Sequence, residues 1–210
     1  MSDLPVALPD PLALRLAAAL DVEGKIPRAL DALGPLADRD VAWVGDETGK
    51  LVERLTELGA RVRPVALGDT VGRARTPKPW ADALVSAWSA FRGFDPGEMA
   101  EGDRIVRPGG RLLIVHDYGR DDVSRLSAGG QERPEYGLWS RRDGPFLAHG
   151  FKVRVVHCWW TFDSVDAARA FLGEAFGEAG RGFGEALSRP RLSYNVAIYH
   201  RTIGGTGGDG

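Results

Sequence analysis

Hydrophobic and polar positions are sorted most clearly between Asp40 and Val65. Val41, Ala42, Trp43 and Val44 form a continuous apolar run too short for a helix, the pattern of a strand buried on both faces of a parallel sheet. Gly45 and Gly49 bracket a tight turn. From Lys50 the apolar residues Leu51, Val52, Leu55 and Leu58 recur at helical spacing, while Glu53, Arg54 and Glu57 fall on the other side. Gly59 closes that helix and a second strand runs to Val65. Strand, turn, helix and strand together put the unpaired N–H groups of a helix N-terminus at the carboxyl end of a strand, where α/β sheets bind their ligands.

The remaining pattern extends this alternation. Residues 1–11 hold three prolines and read as an irregular arm. Leu12 to Leu20 reads as an alanine-rich helix and Asp21 to Leu33 as a second helical segment around Pro27. The stretch GDTVGRARTPKPWA, between the second strand and Asp82, lacks either period and is barely long enough for a crossover. Leu84 and Val85 are strand-like, with Ser86, Ala87, Trp88 and Ser89 at the carboxyl end. A helix carrying Met99, Ile105 and Val106 stops at Pro108, Gly109 and Gly110 reverse the chain, and Leu112 to Val115 form the next buried strand. Residues 124–140 read as a surface loop, a lid candidate ending near Tyr136 and Trp139. A short helix from Leu138 to His149 leads into the long strand FKVRVVHCWWTF, where Trp159 and Trp160 put aromatic bulk on both faces for core or subunit contact. Val165 to Leu187 begins as a helix and loosens at Gly177, Gly180, Gly182 and Gly184, and Leu192 to His200 is the last strand. Residues 1–203 then make a single domain, with the arm and first helices in 1–34 and a disordered tail in 204–210.

Composition narrows the chemistry. At 210 residues and 43% apolar content the chain can bury a sizeable core in one domain. A formal net charge of −2 gives no electrostatic case for a nucleic-acid surface. The single cysteine, Cys158, excludes an intramolecular disulfide and reads as a buried structural thiol; no spacing resembles a metal site. Asp3, Asp10 and Arg15 interrupt the N-terminal apolar stretch, so neither signal peptide nor membrane span is expected and a cytoplasmic location follows by default. A small-molecule ligand is the expected partner; a homo-oligomer stays open.

The turn at Gly45 excludes two familiar ligand loops. A P-loop needs four residues between its glycines, but three intervene here and Leu51 follows Lys50. The dinucleotide fingerprint lacks its second glycine, whose place Glu47 takes. Residues 41–51 instead resemble a worn copy of the cofactor loop of class I S-adenosylmethionine-dependent methyltransferases: Gly45, Thr48 and Gly49 fit, Trp43 and Glu47 do not. Residues 98–116, EMAEGDRIVRPGGRLLIVH, are similar to that family's helix, Arg-Pro-Gly-Gly turn and next strand, and residues 82–89, DALVSAWS, to the strand and motif between. The likeness spans roughly residues 25–202 by the same element logic.

The resemblance implies a three-layer α/β sandwich with a mostly parallel Rossmann-like sheet, strand order 2-1-3-4-6-5, an antiparallel last strand and a shortened segment after the second strand. It implies S-adenosylmethionine above Gly45, Asp46, Glu47, Thr48 and Gly49, with Asp69 and Ser86 as further contacts. Asp69 lies three residues beyond the expected acid position, where Ala66 stands, and has the alternative of a plain turn residue. Trp80 is either a purine-stacking wall or a loop anchor. The acceptor would lie near Trp88, Tyr118 and Trp139. His116, Asp117 and Tyr118 are the densest titratable set at a strand end, with His116 as a general base or, alternatively, a structural histidine. Neighbours on a strand point to opposite faces, so His116 and Asp117 need not meet. A rival reading keeps the fold without the cofactor: Glu47 in the loop and the missing acids favour a non-catalytic binding or assembly subunit.

Overall fold

In a computed structural model, residues 4–46, 49–67, 79–93, 95–127 and 134–204 are described. In chain order the elements are α1 (Asp10–Ala19), α2 (Lys25–Leu33), β1 (Asp40–Val44), α3 (Lys50–Glu57), β2 (Arg61–Pro64), β3 (Ala81–Ala87) and α4 (Pro96–Ile105). They continue with β4 (Val106–Asp117), α5 (Asp122–Ser127), α6 (Pro134–Trp139), a 3-10 turn (Leu147–His149), β5 (Lys152–Thr161), α7 (Val165–Glu185) and β6 (Arg191–Thr202). The six strands form one sheet in the order β2-β1-β3-β4-β6-β5. β2, β1, β3 and β4 are parallel, and β6 runs antiparallel between β4 and β5. Strand order and the direction of the last strand are those expected from the resemblance.

Two packed layers follow from the period-two alternation of the strands. On one face Val41, Trp43, Val85, Leu113 and Val115 meet Leu16 of α1, Ile26 and Leu30 of α2, Leu55 of α3, and Phe171 and Leu172 of α7. On the other, Ala42, Val44, Leu84, Leu112 and Ile114 meet Met99 and Ile105 of α4, with Phe91, Phe146, Phe151 and Tyr199. Each large side chain buried this way contributes roughly 1.5–3 kcal/mol, so both faces resist opening. Helices on both faces of a mostly parallel sheet give a three-layer α/β sandwich.

Local differences from the sequence expectation have identifiable causes. The RPGG segment does not reverse the chain. Val106 pairs with Ala81 and Arg111 with Ala83, so residues 107–110 bulge out of a strand that continues to Asp117. Gly109 has φ +84°, and a Cβ at Gly110 would lie 2.6 Å from the Asp82 carbonyl oxygen, so the bulge requires both glycines. The segment 124–140 is not one loop: α5 and α6 occupy its two ends, and residues 128–133 lie outside the described residues. α7 runs to Glu185, with its irregularity confined to Gly177 at φ 60°, ψ −130°. α2 begins at Lys25 rather than Asp21, because the Asp21 carboxylate accepts from the Lys25 and Ile26 N–H groups and stands outside the helix as its cap.

Candidate functional site

The carboxyl ends of β1, β3 and β4 converge on one rim. At β1 the chain leaves through Gly45 and Asp46; the Trp43 indole Nε1 donates to the Asp46 carbonyl at 3.1 Å, which ties the turn to the buried strand. α3 then starts after Gly49, an N-cap with no side-chain hydrogen bond to the helix. Its first N–H groups have no carbonyl a turn earlier to donate to, which leaves a partial positive charge at the rim. A cavity of about 590 Å³ opens here. Its described lining comprises Asp46, Gly49, Lys50, Leu51, Glu53 and Arg54 from the turn and α3; Trp88 after β3; Asp21, Ile26 and Pro27 at the start of α2; and one side of α1 with Leu4 of the arm.

Trp88 is held by backbone and side chain alike. Its N–H donates to the Val115 carbonyl at 3.0 Å and its own carbonyl accepts from Arg92 Nη2 at 2.8 Å. The residue sits at φ +48°, a left-handed conformation that a bulky side chain adopts only when its surroundings enforce it. The indole Nε1 donates to Asp117 Oδ1 at 3.0 Å, and the Tyr194 hydroxyl donates to the same oxygen. Asp117 thereby fixes the plane of the ring that walls the cavity.

Asp21 is the second anchored group. It is buried, adopts φ +48°, and its own N–H donates to the Trp159 carbonyl at 3.1 Å while its carbonyl accepts from Arg54 Nη1 at 3.1 Å. Burial raises its carboxyl above the usual range, against the opposing pull of the Ile26 and Lys25 N–H groups and of Arg54. Burial likewise pushes the neighbouring Cys158 thiol up, so that it stays protonated and unreactive, as expected of a structural cysteine.

His116 points the other way. It is 2% exposed, its Nε2 donates to the Phe91 carbonyl at 3.0 Å, and its ring lies 5.0 Å from Trp139 and 6.4 Å from Phe146. Burial lowers its pKa to about 4, with the Arg92 charge acting in the same direction and the Phe91 carbonyl opposing, so the imidazole is neutral near pH 7. Tyr118 is half-buried beside the same aromatic layer, with the Arg120 guanidinium 5.7 Å from its ring.

No family model matches the chain, and no curated protein matches it. Solved structures do. A candidate type II methyltransferase from Anaeromyxobacter dehalogenans aligns with a TM-score of 0.55 and 21% identity over 84% of this chain and 96% of that one. MccD protein aligns at 0.49 and 11% over 84% and 96%. The geranyl diphosphate C-methyltransferase from Streptomyces coelicolor aligns at 0.45 and 18% over 86% and 80%. The first likeness and the strand order decide the architecture. The chain has the class I methyltransferase fold.

Within this methyltransferase-like fold the expected site residues separate. Asp46, Gly49 and Trp88 come together around the cavity, with Asp117 behind Trp88, while Gly45 precedes Asp46 in the turn and is not part of the described lining. His116, Tyr118 and Trp139 lie with the aromatic layer on the opposite face of the sheet. Ser86 is next to last in β3 and pairs with Val44 at the end of β1; it is fully buried, its hydroxyl accepting from the Ala90 N–H at 3.3 Å. Glu47, Thr48 and Asp69 lie outside the described residues. Two contributors were missed. Asp21 had a legible signal, a carboxylate just before a helix start, whereas Tyr194 is brought in by β6 from far along the chain; α1 lines the cavity, the place that the resemblance implies for helices before the first strand. Among the described residues no group of three or more His, Cys, Asp or Glu could hold a metal ion, and no helix is long and apolar enough to cross a membrane.

Proposed function

We propose that the chain is an S-adenosylmethionine-dependent methyltransferase acting on a small molecule, with the donor seated in the cavity at the β1–α3 turn. The observation that carries this reading is the coincidence of three features in one cavity: the start of α3, carboxylates beside it, and the Trp88 wall. The donor's amino-acid end has a carboxylate and an ammonium, and its sulfonium adds a second positive charge. The residues present fit that charge pattern. The α3 N-terminus with Lys50 and Arg54 suits the carboxylate, and Asp46 and Asp21 suit the positive groups.

The bound donor supplies an already activated methyl group, so the protein's contribution is alignment. Trp88, immobilised through Asp117 and Tyr194, presents a rigid apolar face, and ligand held against it loses little further freedom on reaching the reactive geometry. α1 and the start of α2 wall the cavity. Asp117 is a positioning residue in this scheme. A neutral, buried His116 supports the rim by holding the Phe91 carbonyl, rather than removing a proton from an acceptor.

Isothermal titration of the full chain with S-adenosylmethionine and S-adenosylhomocysteine tests the reading. Saturable heat with both is the expected result, weakened about tenfold or more by Trp88→Ala. Absence of heat at millimolar ligand would leave a methyltransferase fold without the activity.

A further inference from the structure

At the amino ends of the parallel strands, arginines are matched to carboxylates. Asp40 takes Arg61 at 3.0 Å and Arg107 at 3.6 Å, Asp82 takes Arg107 at 2.7 Å, and Asp103 of α4 takes Arg201 at 2.5 Å. Three cations beside them are not matched. Arg111 of β4 and Lys152 and Arg154 of β5 form no ion pair among the described residues.

Strand register gathers these charges. Arg111 pairs with Thr202 and Leu113 with His200 across β4 and β6, while Lys152 pairs with His200 and Arg154 with Ile198 across β5 and β6. Paired residues and those two apart share a face, so Arg111, Thr202, His200, Lys152 and Arg154 lie together, continuing the face on which Leu113, Ile198 and Val156 are buried. Three strands at about 4.8 Å spacing make the patch roughly 10 Å wide. Like charges so placed repel, and His200 registers it: burial first, then the charges of Arg111, Lys152 and Arg154, hold its pKa below the ordinary range.

The patch is also partly preorganised. Arg111 is half-buried, its Nη1 donates to Thr202 Oγ1 at 2.7 Å, and a Cβ at Gly34, which ends α2, would come within 3.2 Å of the Arg111 Cγ. Asp31, the one carboxylate in α2, accepts from the Leu36 N–H at 2.8 Å. The carboxyl end of α2 offers Arg111 a partial negative charge, which falls short of three cations.

We propose that this patch is a binding site for a phosphoryl dianion, free phosphate or the phosphate of a monoester, held by Arg111, Lys152 and Arg154. Arginine forks and a lysine point charge suit a tetrahedral oxyanion, and a patch this compact matches one such group rather than an extended acidic segment. The site is separate from the donor cavity: Arg111 stands six residues from Asp117 on β4, about 20 Å along the strand.

Isothermal titration of the full chain with inorganic phosphate and with ribose 5-phosphate, in about 0.15 M sodium chloride, tests the proposal. Saturable binding of at least one, with a Kd of about 1 mM or tighter, is expected. Tighter binding of phosphate identifies the free ion as the ligand, and tighter binding of ribose 5-phosphate a phosphorylated small molecule. Lys152→Gln and Arg154→Gln, both at exposed positions, should each weaken binding about threefold and the double variant about tenfold or more. Arg141→Gln, which removes a charge already paired with Asp143, should change it less than about twofold. No saturable binding up to about 10 mM, an unchanged double variant, an equal loss in Arg141→Gln, or tighter binding of a hexaglutamate peptide than of either phosphoryl compound would overturn the proposal.

Discussion

Asp117 and His116 are neighbours at the end of one strand, yet they serve two unlike regions of the molecule. Asp117 lies beside α5, where it braces Trp88 at the edge of a cavity. His116 faces a layer of rings, Trp139, Phe146 and Tyr199, packed closely enough for Phe146 and Tyr199 to stack at 4.1 Å. One region keeps a cavity lined by charged groups; the other fills its space with stacked rings.

The largest expected effect is on the aromatic side. Phe146→Ala removes a fully buried ring between Tyr199, Phe151 and Trp139 and should cost about 3–5 kcal/mol in urea unfolding. At temperatures where the variant stays folded, S-adenosylhomocysteine binding should be intact; a parallel loss of affinity would erase the distinction between the two regions.

His116 gives the next effect, through pH. Its folded pKa is lowered to about 4 by burial, from an ordinary value near 6.5. The unfolded chain therefore binds a proton that the folded chain refuses as pH falls through that interval. Its contribution to stability is fully present above about pH 6.5 and declines by about 3 kcal/mol on the way to pH 4. His116→Gln should flatten that part of the stability profile. An unchanged slope would mean that the imidazole is not held neutral in the fold.

Asp117→Asn sharpens the comparison from the cavity side. The carboxylate oxygen accepts from both Trp88 and Tyr194, and an amide placed there cannot serve both donors as well, so a loss of about 1–3 kcal/mol is expected. S-adenosylhomocysteine should bind more weakly in this variant while Phe146→Ala leaves it unaltered. The smallest effect is expected for Arg54→Ala, which removes the 3.1 Å donor to the Asp21 carbonyl and costs about 1 kcal/mol. Ligand affinity should fall more than stability does, because Arg54 also lines the cavity.

Much of this architecture is legible without coordinates because it rests on local periodicity. The apolar run at Val41, the helix from Lys50 and the buried strand through Leu113 each carry their own signature, and resemblance to a known family arranges them. Alternation along β4 is enough to separate His116 from Asp117. It does not say which face holds a cavity, since that depends on what packs against each. β3 shows the same limit on a smaller scale: it runs two residues past Val85, to Ala87, and strand ends are set by pairing partners.

The order of hydrophobic and polar residues thus determined the elements, their burial and the rim where β1, β3 and β4 end. Three-dimensional packing alone decided that Asp21, Trp88 and Tyr194 share a neighbourhood, and that Tyr118 and Trp139 do not. Periodicity records how each segment divides between inside and outside, a short-range property. A site is built from contacts between segments far apart in the chain, and those exist only once the layers have closed.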